Sequence, residues 1–135
     1  MLQRAIYVSD AVNGAGSDLQ SLAEILGVSD ANNRRDRLTG VLLAHDGWFL
    51  QALEGTRTDI ERLLTRLRND PRHTDIRMLG FDPIDDRSFS EWSMGQILVT
   101  PRIAPLVSRQ PIDALTAGSA FALLVAAVAQ VGAQA

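Results

Sequence analysis

The sequence predicts an α+β domain in which helices pack against the faces of one sheet. Three observations carry this. Short apolar runs of strand length are bounded by Gly, Asn, Asp and Pro. Two stretches switch to helical spacing of their leucines and isoleucines. Asp46-Gly47 also divides two apolar runs in the manner of a tight hairpin turn.

Taken in order, Gln3–Ser9 reads as the first strand, ending in the loop Asn13-Gly14-Ala15-Gly16. Ser17-Asp18-Leu19-Gln20 has capping-box spacing, with Ser17 as N-cap and Gln20 reaching back to its amide. Leu19, Leu22, Ile25 and Leu26 follow at helical intervals, so a first helix is expected to about Arg34. Gly27 weakens it by roughly 1 kcal/mol relative to alanine. Leu38–His45 and Trp48–Glu54 are the arms of the hairpin. Ile60, Leu63, Leu64 and Leu67 then fall at i, i+3, i+4 and i+7, a second helix that stops before Pro71. Ile76–Phe81 and Trp92–Val99 supply two more strands. The order βαββαββ is ferredoxin-like, with both helices on one face of the sheet.

The other face needs cover as well, because Ile6 and Val8 are apolar and so are their neighbours Ala5 and Tyr7. The segment beyond Arg102 can supply it. Its last charge is Asp113, and Phe121, Leu124, Val125 and Val128 mark an apolar helical stripe. Gly118, Ser119, Gln130, Gly132 and Gln134 interrupt the tail, so covering the sheet or a partner subunit is favoured over spanning a bilayer. The expected organisation is one domain over residues 1–100 and a C-terminal helical cap or oligomerisation segment over 101–135.

Composition narrows the function. With 135 residues, 46% apolar and only 5% aromatic, the chain holds one aliphatic core. The formal net charge of −3, with no basic run beyond Arg34-Arg35, argues against nucleic acid as a partner. The absence of cysteine removes disulfides, thiolate nucleophiles and sulfur-bound zinc. All 13 basic residues are arginine, which removes the phosphate lysine of a P-loop and Schiff-base chemistry. Met1–Ser9 has no long apolar run of the secretory kind, so a cytoplasmic location is expected. Gly14 and Gly16 lack the third glycine of a dinucleotide fingerprint. His45 and His73 are not at metal-ligand spacing, and no metal is expected. No nucleophile–base–orienter set emerges either, so the chain is not expected to be an enzyme.

The informative residues are polar ones in apolar surroundings. Phe49, Gln51 and Leu53 share one face of their strand, and Trp48, Leu50 and Ala52 the other, so Gln51 points into an apolar layer on either assignment. Its amide needs partners: a backbone group, a buried water or something more specific. Tyr7 is the sole tyrosine. It reads as an amphipathic core residue, or as a partner of Gln51 if the first and third strands are neighbours. Asn32-Asn33 end the first helix, either as a cap or as readers of a planar heterocycle's edge.

Together these segments resemble the BLUF family, sensors of blue light using flavin adenine dinucleotide (FAD). The matching segments are Ile6-Tyr7-Val8-Ser9, Asn32-Asn33-Arg34-Arg35-Asp36-Arg37-Leu38-Thr39-Gly40 and Phe49-Leu50-Gln51-Ala52-Leu53-Glu54-Gly55. Asp70-Pro71-Arg72-His73 and Trp92-Ser93-Met94 follow in order, and the resemblance spans roughly residues 2–100.

The resemblance implies non-covalent FAD with its isoalloxazine ring between the two helices. Ile25 and Leu67 would sandwich the ring, Asn33 would bond its edge, Asn32 would line the pocket, and Arg72 with His73 would lie near the opposite carbonyl. Tyr7 and Gln51 would be the photoactive pair. Trp92 and Met94 would lie on the strand that carries the signal outward, and the family divides on which of them packs near Gln51. Output would reach an unidentified partner protein or act through homo-oligomerisation. An acylphosphatase-like hydrolase shares the architecture, but Asp10–Ser17 lacks the arginine of its anion-binding loop. A ligand-binding module without photochemistry is the remaining alternative on this scaffold.

Overall fold

A computed structural model of the chain describes residues 1–11, 37–69, 73–89, 95–99, 101–108 and 111–132. The strands are β1 (Gln3–Ala11), β2 (Thr39–His45), β3 (Trp48–Gly55), β4 (His73–Pro83) and β5 (Gly95–Leu98). Helix α1 (Arg57–Arg68) joins β3 to β4, and α2 (Ala104–Val107), a 3-10 turn (Ile112–Ala114) and α3 (Ala117–Gly132) follow the sheet. The expected first helix, from Ser17 to about Arg34, lies outside the described residues.

The sheet order is β4-β1-β3-β2-β5. Every neighbouring pair is antiparallel except β2 and β5, which run parallel. This is the ferredoxin-like arrangement with a fifth strand added at the β2 edge. The hairpin between β2 and β3 turns on Asp46 and Gly47, both at positive φ (49° and 84°). Those values match the strand twist, and aspartate and glycine tolerate them.

Alternation along β1 and β3 sends side chains to opposite faces. Ala5, Tyr7 and Leu53 meet Ile60, Leu63, Leu64 and Leu67 of α1 on one face. Ile6, Val8, Leu50 and Ala52 meet Ala120, Leu124 and Ala127 of α3 on the other. Helix α1 forms because its leucines recur on one stripe. Thr56 caps it, with its hydroxyl oxygen accepting from the Asp59 amide at 3.3 Å. Helix α3 covers the second face as its sequence pattern required, with one difference: Val125 is 42% exposed. Residue 125 lies about 100° around the helix from Leu124, so the buried stripe runs through Ala120, Leu124 and Ala127, with Phe121 and Val128 along its margin. Among the described residues, no helix is long and apolar enough to cross a membrane.

Strand β4 is longer at both ends than the expected Ile76–Phe81, and β1 runs two residues past Ser9. The β1–β4 ladder shifts register between Ile6 and Tyr7 and again between Val8 and Asp10. Asp75 takes a positive φ of 54° beside the second shift. Such bulges break the alternating pattern that marks a strand in sequence, which hid the true length of β4. Arg77 bonds both Asp10 and Asp75 across this irregularity. Its hydrogen bond to Asp10 leads the effects that hold its guanidinium pKa above the ordinary arginine value.

Candidate functional site

Tyr7 on β1 lies directly opposite Gln51 on β3. Both face α1, and both are almost completely buried, at 1% and 2% exposure. The Tyr7 hydroxyl donates to Gln51 Oε1. The amide therefore turns its oxygen to the phenol and its nitrogen away from it. Two polar groups thus meet within an aliphatic layer where an unmade bond would cost about 1–3 kcal/mol.

The strands around this pair shape the same face. Leu42 on β2 flanks Gln51 on the side away from Tyr7. Ser9 and Phe49, the next cross-strand pair on this face, are buried as well. Leu67 comes from α1 into the apolar cluster that contains Tyr7. Of the residues singled out in the sequence, the structure brings together Tyr7, Gln51 and Leu67. The backbone of His73 opens β4 opposite Ala11. Ile25, Asn32, Asn33, Arg72, Trp92 and Met94 lie outside the described residues, so their expected roles rest on resemblance alone.

One further residue of α1 stands out by its surroundings. Arg57, Glu61, Leu64 and Arg68 of α1 line a cleft with Met78 and Phe81 of β4. At 100° per residue, Arg66 lies on the opposite flank, toward the side of the sheet that holds β3 and Gln51. Its Nε and Nη2 are buried and lack a hydrogen-bond partner. Buried guanidinium N–H groups without acceptors are costly, so this position calls for an acceptor-rich group against the helix. A flavin, with carbonyls on its ring edge and hydroxyls and phosphates on its tail, has that chemistry. Arg66 is one of four arginines in α1, and spacing alone separates none of them from solvated charges. Only its two buried nitrogens without partners single it out.

Among the described residues, no group of three His, Asp or Glu side chains could hold a metal ion.

The family described as "BLUF: Sensors of blue-light using FAD" matches residues 2–95. The photoactivated adenylate cyclase subunit beta of Euglena gracilis is 32% identical over 93 residues, 69% of this chain and 11% of that protein. The chain thus spans about a tenth of the length of the curated relatives it matches. Among solved structures, BlsA in its photo-activated state superposes with a TM-score of 0.83 at 28% identity, covering 95% of both chains. BlrB, a BLUF protein in its dark state, gives 0.79 at 28% identity over 96% of both. A family match over most of the chain, with a hydrogen-bonded tyrosine–glutamine pair buried where its motifs fall, makes this chain a member of the BLUF family, sensors of blue light using FAD.

Proposed function

We propose that Tyr7 and Gln51 form the light-responsive pair of this sensor. The single observation that carries this is the buried hydrogen bond from the Tyr7 hydroxyl to Gln51 Oε1. Leu67 and Arg66 line the flavin on the α1 side in this reading. Ile25, Asn32, Asn33, Arg72 and His73 complete the pocket as the family pattern implies. When bound, FAD supplies a ring that absorbs blue light and becomes a strong oxidant while excited.

Everything else falls to the protein's own groups. Tyr7 holds its proton on the bond to Gln51 Oε1, so a phenol that gives up an electron has an acceptor already in place. Gln51 can pass through this exchange by rotating its amide or by shifting a proton within it. Either change swaps donor for acceptor on the side away from Tyr7. The dry layer around the pair excludes water that would otherwise offer competing partners. No substrate is turned over in this scheme. The output of residues 1–100 passes through residues 101–135 to a partner protein or a second copy of the chain.

Tyr7→Phe tests the pair. The ring and its packing remain and one hydroxyl is lost, so flavin binding is expected to survive while the light-induced red shift disappears. Illuminated-minus-dark absorption spectra measure this. A wild-type photocycle in Tyr7→Phe would move the chemistry elsewhere.

Arg66→Gln tests the pocket independently of light. Losing a charged donor to the cofactor is expected to weaken FAD binding roughly tenfold or more. The flavin-free protein should melt at or above the wild-type temperature, because two buried N–H-bearing nitrogens without partners have been removed. Unchanged FAD affinity would take Arg66 out of the pocket.

A further inference from the structure

Three residues beyond the Tyr7–Gln51 pair, the same two strands carry a second side-chain pair. Arg4 stands opposite Glu54 in the β1–β3 ladder just as Tyr7 stands opposite Gln51. An odd offset reverses the face, so the first pair points toward α1 and the second toward α3. Glu54 is fully buried, and Arg4 contacts its Oε2 through Nε at 3.0 Å and Nη2 at 2.9 Å.

This second pair holds more than itself. Glu54 accepts from the backbone amides of Ser88 at 2.9 Å and Phe89 at 2.8 Å, in the segment between β4 and β5. Arg4 Nη2 also donates to the Ser88 hydroxyl at 2.7 Å. The Arg4 guanidinium lies 4.1 Å from the centre of the Phe121 ring on α3. Phe121 in turn meets Phe89 edge-on, with ring centres 6.0 Å apart. Helix α3 has no charged residue of its own, so this guanidinium is a directional contact on an otherwise aliphatic seat. Arg87 reinforces the arrangement by donating to the Glu54 carbonyl at 2.8 Å and to the Thr39 hydroxyl at 2.9 Å.

We propose that Arg4 and Glu54 are the positioning residues that carry a change at Tyr7–Gln51 through the sheet to α3 and to the segment before β5. The inference rests on Tyr7 and Gln51 being the light-responsive pair. Any relative movement of β1 and β3 that accompanies a new Gln51 hydrogen-bond pattern displaces Arg4 against Glu54, because both pairs share one ladder. Glu54 transmits that displacement to the Ser88 and Phe89 amides, and Arg4 transmits it to Phe121. A discrete, fully bonded network relays such a shift where an aliphatic interface would absorb it.

The test separates photochemistry from its transmission. Two variants are compared with wild type as FAD-bound protein: Phe121→Leu, and the double variant Arg4→Met with Glu54→Gln. The double change removes both charges together and leaves no lone buried ion. Phe121→Leu leaves the buried network intact and decides the question by itself if the double variant does not fold. Two quantities are read, the light-induced red shift and the light-minus-dark difference in hydrogen exchange across residues 117–132. Wild type is expected to show both. In the variants the red shift should stay at wild-type size while the exchange difference falls several-fold. A purely structural role would speed exchange equally in light and dark and leave the difference intact. A full-sized difference in variants that keep the red shift overturns the proposal, as does a wild type whose red shift leaves α3 unchanged. A wild type without a red shift overturns the reading of Tyr7 and Gln51, and this one with it.

Discussion

Replacing Gln51 with leucine is expected to abolish the light-induced red shift while leaving FAD bound. Leucine has a similar volume and suits the aliphatic surroundings, so the strand and its packing persist. What disappears is the acceptor Oε1 and the amide's capacity to exchange donor for acceptor. The stability cost should be moderate, about 1–3 kcal/mol, since the buried Tyr7 hydroxyl loses its acceptor while the leucine suits the apolar layer. The effect on the photocycle should be total, because no other described side chain is opposite Tyr7 on that face of β3. Difference spectra under blue light, recorded beside a melting curve, check both parts. A reversible red shift of normal size in this variant would remove Gln51 from the mechanism.

The largest effect on stability is expected from Leu124→Asp. Leu124 is completely buried at the centre of the stripe that α3 lays on the sheet. Truncating such a side chain costs about 2–5 kcal/mol, and placing a carboxylate there adds a desolvation penalty. Against a typical total of about 5–15 kcal/mol, the domain should be largely unfolded or melt about 15 °C lower or more. Any folded fraction should keep its flavin, because Leu124 is on the face opposite Tyr7 and Gln51. Val125→Asp is the matching control. That side chain is 42% exposed, so its cost should stay within about 0.5 kcal/mol. Thermal melts of both variants decide it. Equal melting temperatures would mean that the packing of α3 contributes little to the fold.

The hairpin and α1 were readable because their signals are local: Asp46-Gly47 imposes its own turn, and four aliphatic residues define one helical stripe. The position of Gln51 in an apolar layer was readable for the same reason. Its register opposite Tyr7 was not, since pairing between residues 44 apart in sequence belongs to two strands together. The bulges of β4 are likewise properties of a pair of strands, and nothing along one strand announces them. Glu54 was visible only as the end of a strand; the donors that justify its burial come from residues 4, 39, 88 and 89. Arg66 is the extreme case, because the lack of partners for its buried Nε and Nη2 shows only in the folded chain.

The seat of α3 has a mechanical consequence. Among the described side chains of the helix, Leu124 is the one large fully buried one, with Ala120 and Ala127 on either side. Methyl groups interlock shallowly and Phe121, Leu123 and Val128 pack only at the margins, so Leu124 is the deepest point of the contact and the natural pivot for a tilt of the helix. Phe121 is three residues before that point, about 4.5 Å along the axis, and Gln130 is six residues beyond it, about 9 Å. In a rigid tilt about Leu124, Gln130 would therefore travel about twice as far as Phe121 and in the opposite direction.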